Sequence, residues 1–314
     1  MASVNTAQTI GRTVSPAGAP GMADYVLLVL LAAIWGSSFM FIKIAVVTVP
    51  PATMTAMRMI TATAVLLPVA LAAGASLRFS PRLIGLLCLA AAFGNAMPFT
   101  LIAWGQQGID SGLAAILMGT MPMFTLLLAH LFTHDEKLNG LKLVAVLLGF
   151  AGIVVLIGPQ KLVQLGGQTI SQLAVAGGAL CYAINAIISK RLLGEPRMAV
   201  AAAVMAASML MMLPVAWTSD FAGAMGPVVS DASLMQIASV VLLGLLHTGI
   251  ATLIMFRLIS NAGATFFSQI NFLVPVFGVF WGTALLGERP EANAFAALAL
   301  ILAGIAVARK GQRR

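Results

Sequence analysis

Ten stretches of this chain are each long and apolar enough to cross a bilayer. A hydrocarbon core about 30 Å thick needs roughly 20 apolar residues in a helix. Runs of that kind lie near 25–46, 53–74, 82–104, 110–132, 139–158, 172–193, 198–218, 234–258, 262–286 and 290–308. They occupy most of the 314 residues, so no separate soluble domain fits between them. The runs are continuous, not alternating, which predicts helices and argues against a barrel, whose strands alternate apolar and polar positions. Charged residues make up only 8% of the chain, against about 25% in an average soluble domain. The expected fold class is therefore an all-α integral membrane protein with ten transmembrane helices. A five-helix unit that duplicates in tandem must insert its copies in opposite orientation, which predicts two inverted repeats, residues 25–158 and 172–308.

Residues 1–24 are polar and rich in Gly, Pro, Thr and Ser, and read as a disordered tail. They are not read as a signal peptide, because the following apolar run is too long and lacks a convincing cleavage site. Residues 309–314 form a basic tail suited to anionic headgroups. The net charge of +8 is explained by topology and not by nucleic acid. With ten spans, alternate loops share a side. One side holds 13 Lys and Arg: Arg12, Arg78, Arg82, Lys137, Lys142, Lys190, Arg191, Arg197, Arg257, Arg309, Lys310, Arg313 and Arg314. The other holds only Lys161 and Arg289. The positive-inside rule then places both termini in the cytoplasm. Expected partners are the bilayer and a small-molecule substrate. Oligomeric state is left open, with a monomer as the working assumption.

Two anchors support the duplication. Trp35, Ser38 and Lys43 in Ile34–Lys43 align with Tyr182, Asn185 and Lys190 in Cys181–Lys190. Met121-Pro122-Met123-Phe124 aligns with Val274-Pro275-Val276-Phe277, each followed by an apolar run and an acidic residue, Glu136 or Glu288. Together with Pro51, Arg58, Asp135 and Leu286-Gly287-Glu288, these features resemble the drug/metabolite transporter superfamily, specifically its ten-helix EamA branch. The resemblance covers roughly residues 25–308 and implies a transporter whose helices five and ten stand outside the substrate core. The second copy departs from the pattern, with Tyr182 where a Trp is common and no arginine matching Arg58.

The candidate substrate-binding residues are Trp35, Ser38, Lys43, Arg58, Asn95, Tyr182, Asn185, His247, Gln269 and Asn271. Trp35 and Ser38 share one face of the first helix, and Tyr182 and Asn185 the equivalent face of the sixth. Inversion would turn these faces toward each other across an aromatic, sparsely polar cavity suited to an amphipathic small molecule. Packing of small residues, with Trp35 as filler, is the competing reading. Lys43 and Arg58 sit toward the outer ends of an antiparallel hairpin. They either form a cationic outer vestibule for a substrate carboxylate or snorkel and bond helix carbonyls, the structural role being the stronger reading for Arg58. His247 is the one ionisable residue near mid-depth. It is read first as a neutral histidine bonded to a neighbouring helix, with substrate contact or proton coupling as the alternative. No span holds a central Asp or Glu, which argues against a carboxylate proton carrier. Asn95 beside Pro98, and Gln269 and Asn271 beside Pro275, border points where a proline frees a backbone carbonyl. Pro98, Pro122 and Pro275 are the candidate hinges. Trp104 and Trp281 are read as interfacial belt residues or cavity walls.

Cys88 and Cys181 read as small buried hydrophobes. No zinc spacing, phosphate loop or catalytic triad is found, so no cofactor, metal or catalytic residue is expected. The function expected from layout and resemblance is a multi-pass inner-membrane transporter, most directly an exporter of amino acids or related small amphipathic metabolites. A drug or metabolite transporter working as an uptake or proton-coupled system is the alternative. A membrane enzyme would need clustered His, Asp or Glu near one interface.

Overall fold

The computed structural model describes residues 20–133, 138–158, 166–218 and 232–312. All regular structure among the described residues is helical. The helices are α1 Met22–Ala45, α2 Pro51–Ala72, α3 Pro81–Gly108, α4 Ser111–Phe132, α5 Gly140–Ile157, α6 Gly167–Lys190, α7 Arg197–Ala216, α8 Leu234–Phe267, α9 Ile270–Leu286 and α10 Ala292–Gln312. Nine of them are long and apolar enough to cross a membrane, and α9 is a shorter apolar helix.

The sequence places their boundaries within a few residues, with three corrections. Helix α6 begins at Gly167, five residues before the expected start at 172. No loop separates the eighth and ninth spans. The chain breaks instead at Gly263, whose φ of 85° and ψ of 162° only glycine adopts at low cost. Helix α10 runs on to Gln312, so Arg309 and Lys310 lie in its last turn and not in a tail. Cations there face the negative end of the helix dipole. Residues 1–19 and 313–314 of the expected tails lie outside the described residues.

The packing is pairwise. Helix α2 runs along α7, α5 along α10, and α4 against α9; α1 packs on both α8 and α9, and α6 on both α3 and α4. Small residues set the crossings. A Cβ on Gly36 of α1 would strike Phe277 and Gly278 of α9, and one on Gly278 would strike Ala115 of α4. In apolar surroundings such close approach, not burial from water, is what holds helices together.

Helix α2 meets α8 at Gly244, where an added Cβ would strike Thr61 Oγ1 and the Arg58 carbonyl. Gly244→Ala is expected to destabilise the protein by about 1–3 kcal/mol, the usual cost of overpacking. Thermal unfolding in detergent would read this as a lowered midpoint. Thr61→Ala in the same chain should recover part of the loss, because it removes the hydroxyl that the new methyl meets.

Candidate functional site

Among the described residues, a segment of π-helix interrupts two of the long helices: Ala92–Ala96 in α3 and Leu245–Ile250 in α8. The wider turn re-aims side chains and is found mostly at functional positions. Each segment presents polar residues to the space between the helices. Asn95 is buried in the first and donates through Nδ2 to Ser208 Oγ at 3.1 Å. His247 and Thr248 are buried in the second, and both bond carbonyls five residues back, Leu242 O at 3.0 Å and Leu243 O at 2.9 Å. Since a carbonyl only accepts, His247 Nδ1 carries a proton. Nε2 lies 3.0 Å from Ser37 Oγ of α1. The indole N–H of Trp35 donates to the His247 carbonyl at 3.1 Å, a second tie between α1 and α8.

These groups border a central cavity of about 530 Å³. Of the ten candidate binding residues, eight line it: Trp35, Ser38, Arg58, Asn95, Tyr182, Asn185, His247 and Asn271. Pro275 also reaches it, while Pro98 and Pro122 do not. No residue of α5 or α10 lies on its wall. The cavity extends past Ser189, Leu192 and Val200 toward the end of the bundle where α6 leads into α7. At its opposite end Phe39, Ile42 and Ile102 join a buried apolar cluster with Ile116, Leu117 and Leu243.

Arg58 dominates the site. Only 4% of its surface is exposed. Its Nε donates to Thr248 Oγ1 at 2.9 Å, and its guanidinium carbon stands 3.7 Å from the centre of the Phe99 ring. Phe99 in turn meets Tyr182 edge-on, ring centres 6.1 Å apart. Among the described residues, no carboxylate pairs with Arg58 and no Asp or Glu lines the cavity. A hydroxyl bond and a cation–π contact are together worth about 2–4 kcal/mol. Removing an ion from water costs several kcal/mol even after relaxation. The guanidinium is thus undercompensated and faces an apolar cavity with its terminal nitrogens to spare. The hairpin argument set Arg58 beside Lys43, but the structure separates them, with Arg58 in the cavity and Lys43 outside it.

Lys43 belongs to the closed end. Its Nζ donates to the carbonyls of Gln106 at 3.0 Å and Ile109 at 2.8 Å, where α3 ends. Two residues on, Glu288 accepts from the backbone N–H groups of Ser111 at 2.7 Å and Gly112 at 2.9 Å, the start of α4. A cation from α1 and an anion from the α9–α10 turn therefore hold the two poles of one tight turn, each in the sense the helix dipole favours. Gly287, left-handed at φ 69°, ends α9 and turns the chain so that Glu288 reaches α4. Asp110 stands exposed in the same turn. Partial burial and then the Glu288 carboxylate raise its carboxyl above the ordinary value, against the opposing pull of Lys43.

Gln269 is the other candidate away from the cavity; it precedes the first turn of α9. Trp104 is exposed, as a belt residue would be. Trp281 lies off the cavity wall; its N–H donates to the Ala33 carbonyl at 3.1 Å and fixes α9 to α1. Phe99 and Thr248 are site residues that the sequence did not single out. Their only prior signal was polarity or aromaticity inside an apolar span.

The sequence profile of the EamA-like transporter family matches residues 23–158 and, a second time, residues 169–309. The chain belongs to this family. It is a membrane transporter, not an enzyme, and a multi-pass protein of the inner membrane. An uncharacterised inner membrane transporter of Escherichia coli K12, YedA, is 30% identical over 286 residues, covering 89% of this chain and 88% of its own. A probable amino-acid metabolite efflux pump of the same strain is 26% identical over 295 residues, covering 90% and 93%. Among solved structures, a crystal structure described only as that of a protein superposes with a TM-score of 0.63 at 20% identity, covering 93% of this chain and 99% of its own, a likeness of fold.

Proposed function

We propose that this transporter exports amino acids or related small amphipathic metabolites by alternating access between two inverted repeats, residues 25–158 and 172–308. The observation that carries the reading is Arg58, a buried guanidinium without a counter-ion among the described residues, set in the wall of a cavity of about 530 Å³. Such a group is satisfied by a carboxylate, which it meets with two parallel hydrogen bonds. Trp35, Tyr182 and Phe99 supply apolar walls, and Ser38, Asn95, Asn185, His247 and Asn271 supply neutral polar contacts. The volume falls within the range of small-ligand sites.

The inverted repeat is supported by the helix pairing. Advancing every helix by five turns the α1–α9 contact into α6–α4 and the α1–α8 contact into α6–α3, both of which occur. The pairs α2–α7, α4–α9 and α5–α10 map onto themselves, and the π-helical segments fall in the matching helices α3 and α8. With the basic loops in the cytoplasm, as the charge bias directs, both termini are cytoplasmic and the cavity extends inward. The regions of Pro122 and Pro275, with Pro98 in α3, are the proposed hinges. The name of one relative, a probable amino-acid metabolite efflux pump, is consistent with this substrate class.

Counterflow in proteoliposomes tests the reading. Vesicles preloaded with an amino acid should accumulate the labelled compound, whereas vesicles preloaded with a nucleotide-sugar or a cationic drug should not. No exchange with any amino acid would remove the proposal.

A further inference from the structure

Arg58 shares the cavity wall with a second polar group that the described residues leave unpaired, the side-chain amide of Asn185. It makes no hydrogen bond among the described residues, and its Oδ1 is buried without a partner. A buried amide left unpaired in this way is destabilising. The cost is not forced by crowding. The amide lies against Gly94, where any side chain would displace it, so α3 has left room for an unbonded group. Exchange of its oxygen and nitrogen ends by rotation about χ2 meets a broad, roughly two-fold torsion, and no protein bond favours either end. The cavity can therefore be offered an acceptor.

From this we infer that Asn185 is a specificity-determining residue that receives the ammonium group of a zwitterionic substrate whose carboxylate is held by Arg58. The inference rests on the carboxylate reading above. Spacing along α3 supports it. The Arg58 guanidinium stands over Phe99 and the Asn185 amide over Gly94, five residues earlier on the same helix. Allowing for the π-helical turn at Ala92–Ala96, that is an axial offset of roughly 7 Å along α3. Two hydrogen bonds of about 2.8 Å and the roughly 2.5 Å from an α-nitrogen to its carboxyl carbon span about the same length. Charge completes the selection. No carboxylate among the described residues lines the cavity, so an amine lacking the acid group meets the Arg58 cation without a counter-charge there. An acid lacking the amine leaves the Asn185 amide unpaired. The molecule that satisfies both is an α-amino acid, its side chain lying among Trp35, Phe39 and Ile42.

Three ligands with one side chain test this: leucine, its decarboxylated amine 3-methylbutylamine and its deaminated acid 4-methylpentanoate. Binding to the purified full chain is followed by intrinsic tryptophan fluorescence and checked by competition in counterflow. In the wild type leucine should bind about tenfold more tightly than the acid, and the amine should not compete. Asn185→Leu should weaken leucine about tenfold and the acid far less, so that the two converge. Asn185→Asp should instead widen the preference for leucine and admit the amine. The inference is overturned if leucine and the acid bind the wild type equally, if leucine does not bind, or if Asn185→Leu weakens both ligands alike. Failure of the underlying reading looks different: the acid's affinity would then be unchanged by Arg58→Gln. If the acid depends on Arg58 while Asn185→Leu leaves the leucine-to-acid ratio intact, the carboxylate reading stands and the role of Asn185 falls.

Discussion

Arg58→Gln is expected to weaken amino-acid binding by at least about 30-fold and to abolish measurable counterflow at substrate concentrations that saturate the wild type. Truncating one partner of a desolvated, hydrogen-bonded charge pair costs about 2–5 kcal/mol, and each 1.4 kcal/mol is tenfold. Arg58→Lys should recover only part of the loss. An ammonium keeps the charge but presents no planar fork to a carboxylate and gives up the Nε bond to Thr248, 2.9 Å long in the arginine form. The informative comparison is with stability. A guanidinium whose protein partners are one hydroxyl and one aromatic ring does not offset its own desolvation, so the glutamine variant without substrate should melt no lower than the wild type and can melt higher. A structural arginine predicts the reverse, a lowered melting midpoint in parallel with lost transport. Retained counterflow, or a drop in melting temperature that accounts for the loss, would remove Arg58 from the substrate site.

The contrast between Arg58 and Lys43 shows how far a sequence of this kind can be read. The ten spans are legible because hydrocarbon leaves a helix few alternatives, and the error is confined to ends, where Gly263 or the run-on of α10 decides. Depth along a span is less legible. Lys43 and Arg58 flank the same hairpin, and counting from opposite sides of a short turn suggests similar depth. Yet Arg58 lies seven residues into α2, about 10 Å of axial rise. That distance carries it from the surface to the cavity while Lys43 stays at the closed end. The faces bearing Trp35 and Ser38, and Tyr182 and Asn185, do meet across the cavity, because helical periodicity determines a face once the spans are known. Thr248 and the two π-helical segments were not legible. Hydropathy does not distinguish an α-helical from a π-helical turn, and the partners that make Thr248 matter come from another helix. Glu288 was visible as a landmark of the repeat and the family, but its task required knowing that α4 begins beside the end of α9.

That task leads to the second large effect, at the closed end of the bundle. Glu288 makes two charge-assisted bonds to the start of α4, and bonds to charged groups contribute about 1.5–3 kcal/mol each. Glu288→Gln keeps the shape and one acceptor but loses the charge, the second acceptor and the match to the helix dipole. A net loss of about 2–3 kcal/mol is expected, enough to shift the balance between closed and open forms of this end, the outer one in the proposed topology, by roughly 30–150-fold. Gly282 belongs to the same device, since a Cβ there would strike the Glu288 carboxylate and Ser111 Oγ. Gly282→Ala should displace the carboxylate and act in the same direction. A cysteine at Ile42, which is 2% exposed at the closed end of the cavity, would report the change once Cys88 and Cys181 are replaced. In right-side-out vesicles a membrane-impermeant maleimide should label it slowly on the Glu288 background and at least tenfold faster with Glu288→Gln or Gly282→Ala. Lys43→Met should behave similarly, because it releases the other pole of the turn, where Nζ holds two carbonyls. If labelling is unchanged while the melting midpoint falls, these charges cap helices and nothing more. If labelling rises and counterflow slows, they are the latch that the outer end must release in every transport cycle.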